Sequence, residues 1–259
     1  MRYLVPACVV MALAGGARAD VQTQKVEYQC GDTVLEGVLA WDDAVKGPRP
    51  GVMVVHEWWG VNDYAKRRAQ QLASLGYVAF AADMYGKGVL AKTPEDAKKL
   101  ATSLRENRRL MRDRAQAGLD VLRRSALCDP KRVAAMGYCF GGGVVLELAR
   151  DGADVRGVVS FHGNLDTPNR EDAKRIKAKV LVCHGADDPG VPMKQVLDFM
   201  DEMRAAGVDY HIVLYGGAVH AFTNPDSGND PKRGVAYNEN ADKRSWEEMK
   251  AFFAELLGK

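Results

Sequence analysis

Cysteine is scarce in this chain of 259 residues: there are five, and no two stand in a CxxC pair. Zinc and iron–sulfur thiolate sites and thioredoxin-type motifs need such pairs, so none of these classes is indicated. Internal repeats and low-complexity tracts are absent, which sets aside solenoids, propellers and disordered tails. An excess of one charge is missing as well. Arg2 and Arg18 make up the whole net charge of +2, and the rest of the chain is formally neutral. A neutral chain has no global attraction for nucleic acid or anionic lipid, so neither is expected as a partner. One local cluster, Arg105, Arg108, Arg109, Arg112 and Arg114, falls mostly opposite the apolar positions of a predicted long helix and reads as a solvated face. No obligate partner is indicated, and a monomer is expected.

Long apolar runs are lacking too, with one short exception near the N-terminus. Arg2 precedes an apolar stretch from Tyr3 to Ala14 that is too short to span a bilayer, and Ala17-Arg18-Ala19 ends in an Ala-x-Ala signal. This reads as a secretory leader cut after Ala19, with residues 20–259 as one α/β domain in the periplasm or outside the cell and no membrane insertion afterwards. Export leaves Cys30, Cys128, Cys139 and Cys183 in an oxidising compartment. Cys30 with Cys128 is the pairing that spares both thiols at strand ends.

What is present is an alternation of short apolar strands and amphipathic helices. Gln24 to Gln29 and Thr33 to Trp41 read as an antiparallel pair around Gly31-Asp32. From Gly51 the strands Val52–Val55, Tyr77–Ala81, Arg132–Met136, Gly157–Phe161, Val180–Cys183 and Tyr210–Leu214 are separated by helical patterns. One long helix is predicted after Thr93 as N-cap and Pro94 at the first position. The pattern argues for a mainly parallel sheet with helices on both faces, in which ligands bind beyond the carboxyl ends of the strands.

Chemically capable residues cluster at those ends. Gly137-Tyr138-Cys139-Phe140-Gly141 has the spacing of a nucleophile elbow, with a thiol in place of serine. His56-Glu57, Asp83, His162, Asp187-Asp188 and His220 each follow a strand. The chain order of nucleophile, acid and histidine is that of α/β-hydrolases. Cys139 is the candidate nucleophile, His220 its base and then acid, and Asp187 or Asp188 the group that orients the imidazole. The backbone N–H groups of Phe140 and Trp58 are the candidate oxyanion hole. No ligand spacing links His56, His162, His184 and His220, so neither metal nor organic cofactor is expected. Two other readings use the same residues: a thiol redox protein with Cys183 as resolving partner, and a binding protein that has kept the fold without turnover.

Three segments resemble the dienelactone hydrolases: His56-Glu57-Trp58-Trp59-Gly60-Val61-Asn62, the elbow with Gly142, and Gly185 to Pro192 with His220-Ala221-Phe222. Asp83-Met84-Tyr85 is similar as well. The resemblance implies an α/β-hydrolase fold, a Cys139–His220–Asp188 triad, and hydrolysis of small esters or lactones without a cofactor. Asp188 is preferred because the family's acid stands four residues before the proline that matches Pro192. The resemblance also implies that Glu57 contacts the resting thiol and helps deprotonate it when substrate enters. Tyr85, Lys87, Trp59 and Asn224 are its substrate-contact candidates. Lys87 and Asn224 stand where the founding enzyme has two arginines that hold a substrate carboxylate, which argues against dienelactone itself.

Overall fold

The computed structural model describes residues 20–258. The expected leader and its cleavage after Ala19 lie outside the described residues. The described chain opens with an antiparallel pair, β1 (Val21–Cys30) and β2 (Thr33–Asp42). From Arg49 strands and helices alternate: β3 (Arg49–Val55), α1 (Asp63–Ser74), β4 (Val78–Ala82), α2 (Pro94–Glu106), α3 (Arg108–Arg124), β5 (Cys128–Tyr138) and α4 (Phe140–Arg150). β6 (Gly157–Phe161), β7 (Lys179–Gly185), α5 (Met193–Ala206), β8 (Tyr210–Tyr215) and α6 (Glu239–Leu257) complete it. The eight strands form one sheet in the order β1-β2-β4-β3-β5-β6-β7-β8. β2 pairs antiparallel with its neighbours and all other pairs are parallel.

β3, β4 and β6 are buried along their whole length, which is why they read as unbroken apolar runs. Alternate residues feed two cores. Met53, Val55 and Ala135 pack against α3, α4 and α5 through Leu119, Val144 and Phe199, while Val52, Val54 and Met136 pack against α1 and α6 through Leu72 and Phe253. The helix after β3 therefore covers one face and the helix after the adjacent β5 the other. Their connecting loops diverge and leave a crevice beyond the pair Val55 and Gly137.

Two expectations are corrected. The long helix after Thr93 is two helices, divided at Asn107. Asn107 closes α2 with its N–H on the Leu104 carbonyl and caps α3 by accepting the Leu110 N–H at 3.0 Å. Both helices bury the same side, so apolar periodicity runs through the break unseen. The arginine cluster is also not a solvated face. Arg112 is buried between Glu147 and Asp172, Arg114 donates to the Met84 and Tyr85 carbonyls, and Arg108 reaches Asp166. Arg109 does lie exposed, beside Asp113. A short 3-10 turn, Arg170–Arg175, supplies Asp172 and covers the side of α3 that the sequence pattern assigns to water.

The cysteines do not pair: all four in the described chain are free. Cys30 lies at the carboxyl end of β1 and Cys128 at the amino end of β5, with three strands between them, so they lie beyond bridging range.

Candidate active site

β5 delivers the elbow. Gly137 and Gly141 are required there, because a Cβ on either would collide with backbone, at Gly141 and at Val55 respectively. Between them Cys139 takes a left-handed φ of 52°, which turns strand into helix within one residue and lifts the thiol out of the sheet. Its Sγ lies 3.0 Å from Nε2 of His220. Nδ1 of His220 lies 2.8 Å from Oδ2 of Asp188, whose other oxygen accepts the Gly190 and Val191 N–H groups. Burial opposes charge on His220, but an ionised Cys139 sulfur and Asp188 outweigh it and raise the imidazole well above the ordinary histidine range, so it keeps the thiol proton once it has taken it. Asp187 instead accepts the Gly217 N–H on the surface, so of the two aspartates it is Asp188 that meets the imidazole.

The loop after β3 faces this line. The Trp58 and Phe140 N–H groups have no protein acceptor among the described residues. His56 is buried and fixes the loop, with Nδ1 on the Glu57 carbonyl and Nε2 accepting the Met84 N–H. Burial keeps it neutral by lowering its pKa. Glu57 is buried too, and burial pushes its carboxyl up to about 7 against the opposing pull of a 2.7 Å hydrogen bond from Asn224. Among the described residues the thiol's hydrogen-bond partner is His220 and that of Glu57 is Asn224, with both Glu57 and Cys139 lining one cavity.

Cys139, His220 and Glu57 open into a cavity of about 930 Å³ walled by Trp58 and Trp59. A smaller depression of about 260 Å³, between α5 and residues 165–170, holds none of these groups. Among the described residues no helix is long and apolar enough to cross a membrane.

Comparison with known proteins places the chain in a family. Residues 35–257 match the sequence model of the dienelactone hydrolase family. The chain belongs to the dienelactone hydrolase family. It is 33% identical to Protein usf of Aquifex pyrophilus over 239 residues, which is 90% of this chain and 99% of that one. The crystal structure of the dienelactone hydrolase-like promiscuous phosphotriesterase P91 from metagenomic libraries is 44% identical, with a TM-score of 0.88, covering 93% of this chain and all of that one. The acylaminoacyl peptidase of Pyrococcus horikoshii, 17% identical with a TM-score of 0.71 over 94% of this chain and 43% of that one, shares the α/β-hydrolase fold.

Against the dienelactone hydrolase pattern, the substrate-contact candidates divide. Trp59 lines the cavity and meets Trp58 edge to face. Asn224 lines it as well, but its amide is spent on Glu57. Tyr85 is buried with its hydroxyl on the Trp58 carbonyl, 3.0 Å away, so it props the loop instead of facing the cavity. Lys87 points away and pairs with Glu27 on the surface. The lysine follows a left-handed Gly86, and counting residues past Tyr85 cannot register that turn. Sequence reasoning also missed Arg105. From the end of α2 it reaches the cavity, lies over the Phe140 ring and donates to the neutral Asn164 side chain at 2.8 Å. Lys92 and Arg233 line the same cavity, and none of the three side chains has a carboxylate partner among the described residues. The sequence carries no signal for it, because Arg105 lies in the last turn of α2 and the apolar periodicity conceals the end of that helix.

The redox reading loses its partner. Cys183 lies two strands from the elbow strand, through Phe161, roughly 9–10 Å at ordinary strand spacing. Its thiol packs with the Tyr215 hydroxyl in the core on the other side of the sheet from Cys139.

Proposed function

We propose that this chain hydrolyses small carboxylic esters or lactones by acyl transfer through Cys139. The observation that carries the reading is the continuous line Asp188–His220–Cys139, with spacings of 2.8 and 3.0 Å, ending in a cavity beside two free backbone N–H groups. The substrate carbonyl oxygen sits against the Trp58 and Phe140 N–H groups. Sγ attacks the carbonyl carbon while Nε2 of His220 takes the thiol proton, and Asp188 stabilises the imidazolium. Collapse of the tetrahedral species breaks the ester C–O bond, and His220 returns the proton to the departing alkoxide. Water then attacks the thioester with His220 as base, releasing the acid and restoring the thiol. For a lactone, alcohol and acid leave as one molecule.

Glu57 acts in this reading as a proton acceptor on the cavity side that assists thiol deprotonation once substrate is bound. Arg105 offers an anchor for an anionic group on the substrate, since its side chain's hydrogen-bond partner among the described residues is neutral. This restores a carboxylate-bearing lactone to the substrate class despite Lys87 and Asn224. The leader-like residues 1–19 support action outside the cytoplasm, and N-terminal sequencing of protein from the periplasmic fraction should begin at Asp20.

The deciding experiment is turnover of a panel of activated short esters and small lactones, dienelactone included, by the wild-type protein and Cys139→Ala. Activity that disappears with the thiol supports the reading. Activity that survives the substitution removes Cys139 as nucleophile and the reading with it.

A further inference from the structure

Left-handed backbone outside glycine is confined, among the described residues, to Cys139 (φ 52°), His162 (φ 40°) and Ala221 (φ 57°). Such conformations are unfavourable and persist only where the surroundings over-determine them. All three lie at the thiol: the candidate nucleophile itself, the first residue after β6, and the residue after His220. One imidazole ties these segments together. Nδ1 of His162 accepts the Cys139 N–H at 3.1 Å, and Nε2 lies 2.7 Å from Oγ1 of Thr223, two residues beyond Ala221. Because Nδ1 accepts, the ring proton is on Nε2 and is donated to Thr223. The ring is fully buried and held by burial well below the ordinary histidine range, so it stays in this neutral form.

The chain continues away from the cavity. Thr223 Oγ1 lies 2.7 Å from the Tyr64 hydroxyl, which accepts from Nε of Arg68 at 3.2 Å, and Arg68 also donates to the Thr223 carbonyl at 2.8 Å. Tyr64 and Arg68 are on α1, the helix that the Trp58 loop leads into. The Cys139 N–H has a second acceptor, the Phe161 carbonyl at 3.0 Å. The imidazole is thus not needed to satisfy that donor. What it adds is a fixed link between the elbow and the loop that carries His220.

Resting on the hydrolase reading above, we propose that His162 and Thr223 are a positioning pair that sets the elbow in register with the His220 loop, and so fixes the line of Sγ on Nε2 and the aim of the Phe140 N–H. Neither residue touches substrate. A displacement of about 1 Å at reacting atoms costs on the order of 100-fold in rate, which sets the scale of the effect.

Thr223→Val keeps the shape and deletes the acceptor, and Thr223→Ser restores it. Two readouts are needed: kcat and KM for an activated ester, and the rate of Cys139 alkylation by iodoacetamide at pH 7, followed on the Cys139 peptide by mass spectrometry. The expected result for Thr223→Val is a kcat lower by about 10- to 100-fold with KM within about twofold. Alkylation slows in parallel, and both recover in Thr223→Ser. Wild-type kcat and alkylation in Thr223→Val overturn the proposal whatever happens to Tm, as does a loss that serine fails to recover. Thr223→Ala replaces the valine variant should that protein not fold. If the wild-type protein hydrolyses no ester, the hydrolase reading fails by itself. Alkylation then still decides the positioning: slowed and rescued by serine upholds it, unchanged overturns it.

Discussion

Asn224 holds Glu57 by a 2.7 Å hydrogen bond from Nδ2 to a carboxylate oxygen, while its own Oδ1 accepts the Asp226 N–H at 3.0 Å. The second bond fixes which way the amide points, so Glu57 always faces a neutral donor. A neutral donor lowers a carboxyl pKa less than a cation would, and burial is left free to raise it to about 7. Glu57 is then neutral below that pH and ionised above it. With ionised Glu57 as the assisting base, kcat/KM should rise through about pH 7 in the wild-type protein. Asn224→Leu removes a bond to the charged form and should move that limb to higher pH. Glu57→Gln should abolish the limb and lower turnover by about 100-fold or more. Full turnover in Glu57→Gln would falsify the assigned role.

Asp187 and Asp188 are adjacent and chemically identical, yet only one meets His220. Asp188→Asn should lower kcat by about 10⁴-fold, because an amide at Nδ1 favours the wrong tautomer and cannot stabilise the imidazolium. Asp187→Asn should leave kcat within about twofold, since among the described residues the surface carboxylate it removes serves the Gly217 N–H alone. Kinetics of the two variants side by side check the assignment; equal losses would contradict it.

The sheet and the positions of the candidate nucleophile and histidine were readable from the sequence because they rest on local signals, while the preference for Asp188 over Asp187 came from the family resemblance. β3, β4 and β6 are short buried runs, the elbow is a pentapeptide, and Asp188 and His220 sit in glycine-bearing loops directly after strands. What escaped reading depends on partners distant in the chain. Arg112 resembles a surface arginine until Glu147, 35 residues on, and Asp172, 60 residues on, close over it. Lys87 and Arg105 exchange places as cavity candidates because a turn at Gly86 sends the lysine outward, while the end of α2 carries the arginine inward. Asn224 was legible as a residue at the site, but its bond to Glu57 spans 167 residues.

The buried ion cluster makes a prediction about the fold. Arg150, on α4, is fully buried and held by Glu147 and by both oxygens of Glu202 on α5. Arg150→Met keeps much of the packing volume but leaves the buried Glu202 carboxylate without its ion-pair partner. The expected loss is about 3–5 kcal/mol of unfolding free energy, measured by urea denaturation at neutral pH. Asp172, at the same cluster, loses solvation on burial, but its bonds to Arg112 and Arg175 outweigh this and lower its pKa below the ordinary 3.8. A depressed acid stabilises the fold above its unfolded pKa and stops doing so as pH falls through its folded value. Its contribution to stability should therefore persist at pH 5 and fade only below about 3.8. A urea midpoint already falling between pH 6 and pH 5 in wild type, and not in Asp172→Asn, would contradict that sign.

Arg105 is the proposed selector of substrate charge. Its guanidinium lies over the Phe140 ring, next to the thiol, and its side-chain partner is the uncharged Asn164. Lys92 and Arg233 add positive charge to the same cavity, whose one surface carboxylate, Asp226, is paired with Arg67. A substrate carboxylate binding there gains charge-assisted bonds without displacing a protein carboxylate. For esters matched in size, one with a terminal carboxylate and one with a methyl group in its place, Arg105→Ala should raise KM for the anion by about 10- to 100-fold, equivalent to the roughly 1.5–3 kcal/mol of a charged hydrogen bond. The neutral ester should be affected by less than about threefold, since it forms no such bond. Arg105→Lys should recover only part of the loss, because an ammonium keeps the charge and not the planar fork. Raising the salt concentration should weaken the anion's advantage in the wild-type protein and have little effect in Arg105→Ala. Equal effects of Arg105→Ala on both esters would mean that the arginine shapes the cavity wall through Phe140 and does not select charge.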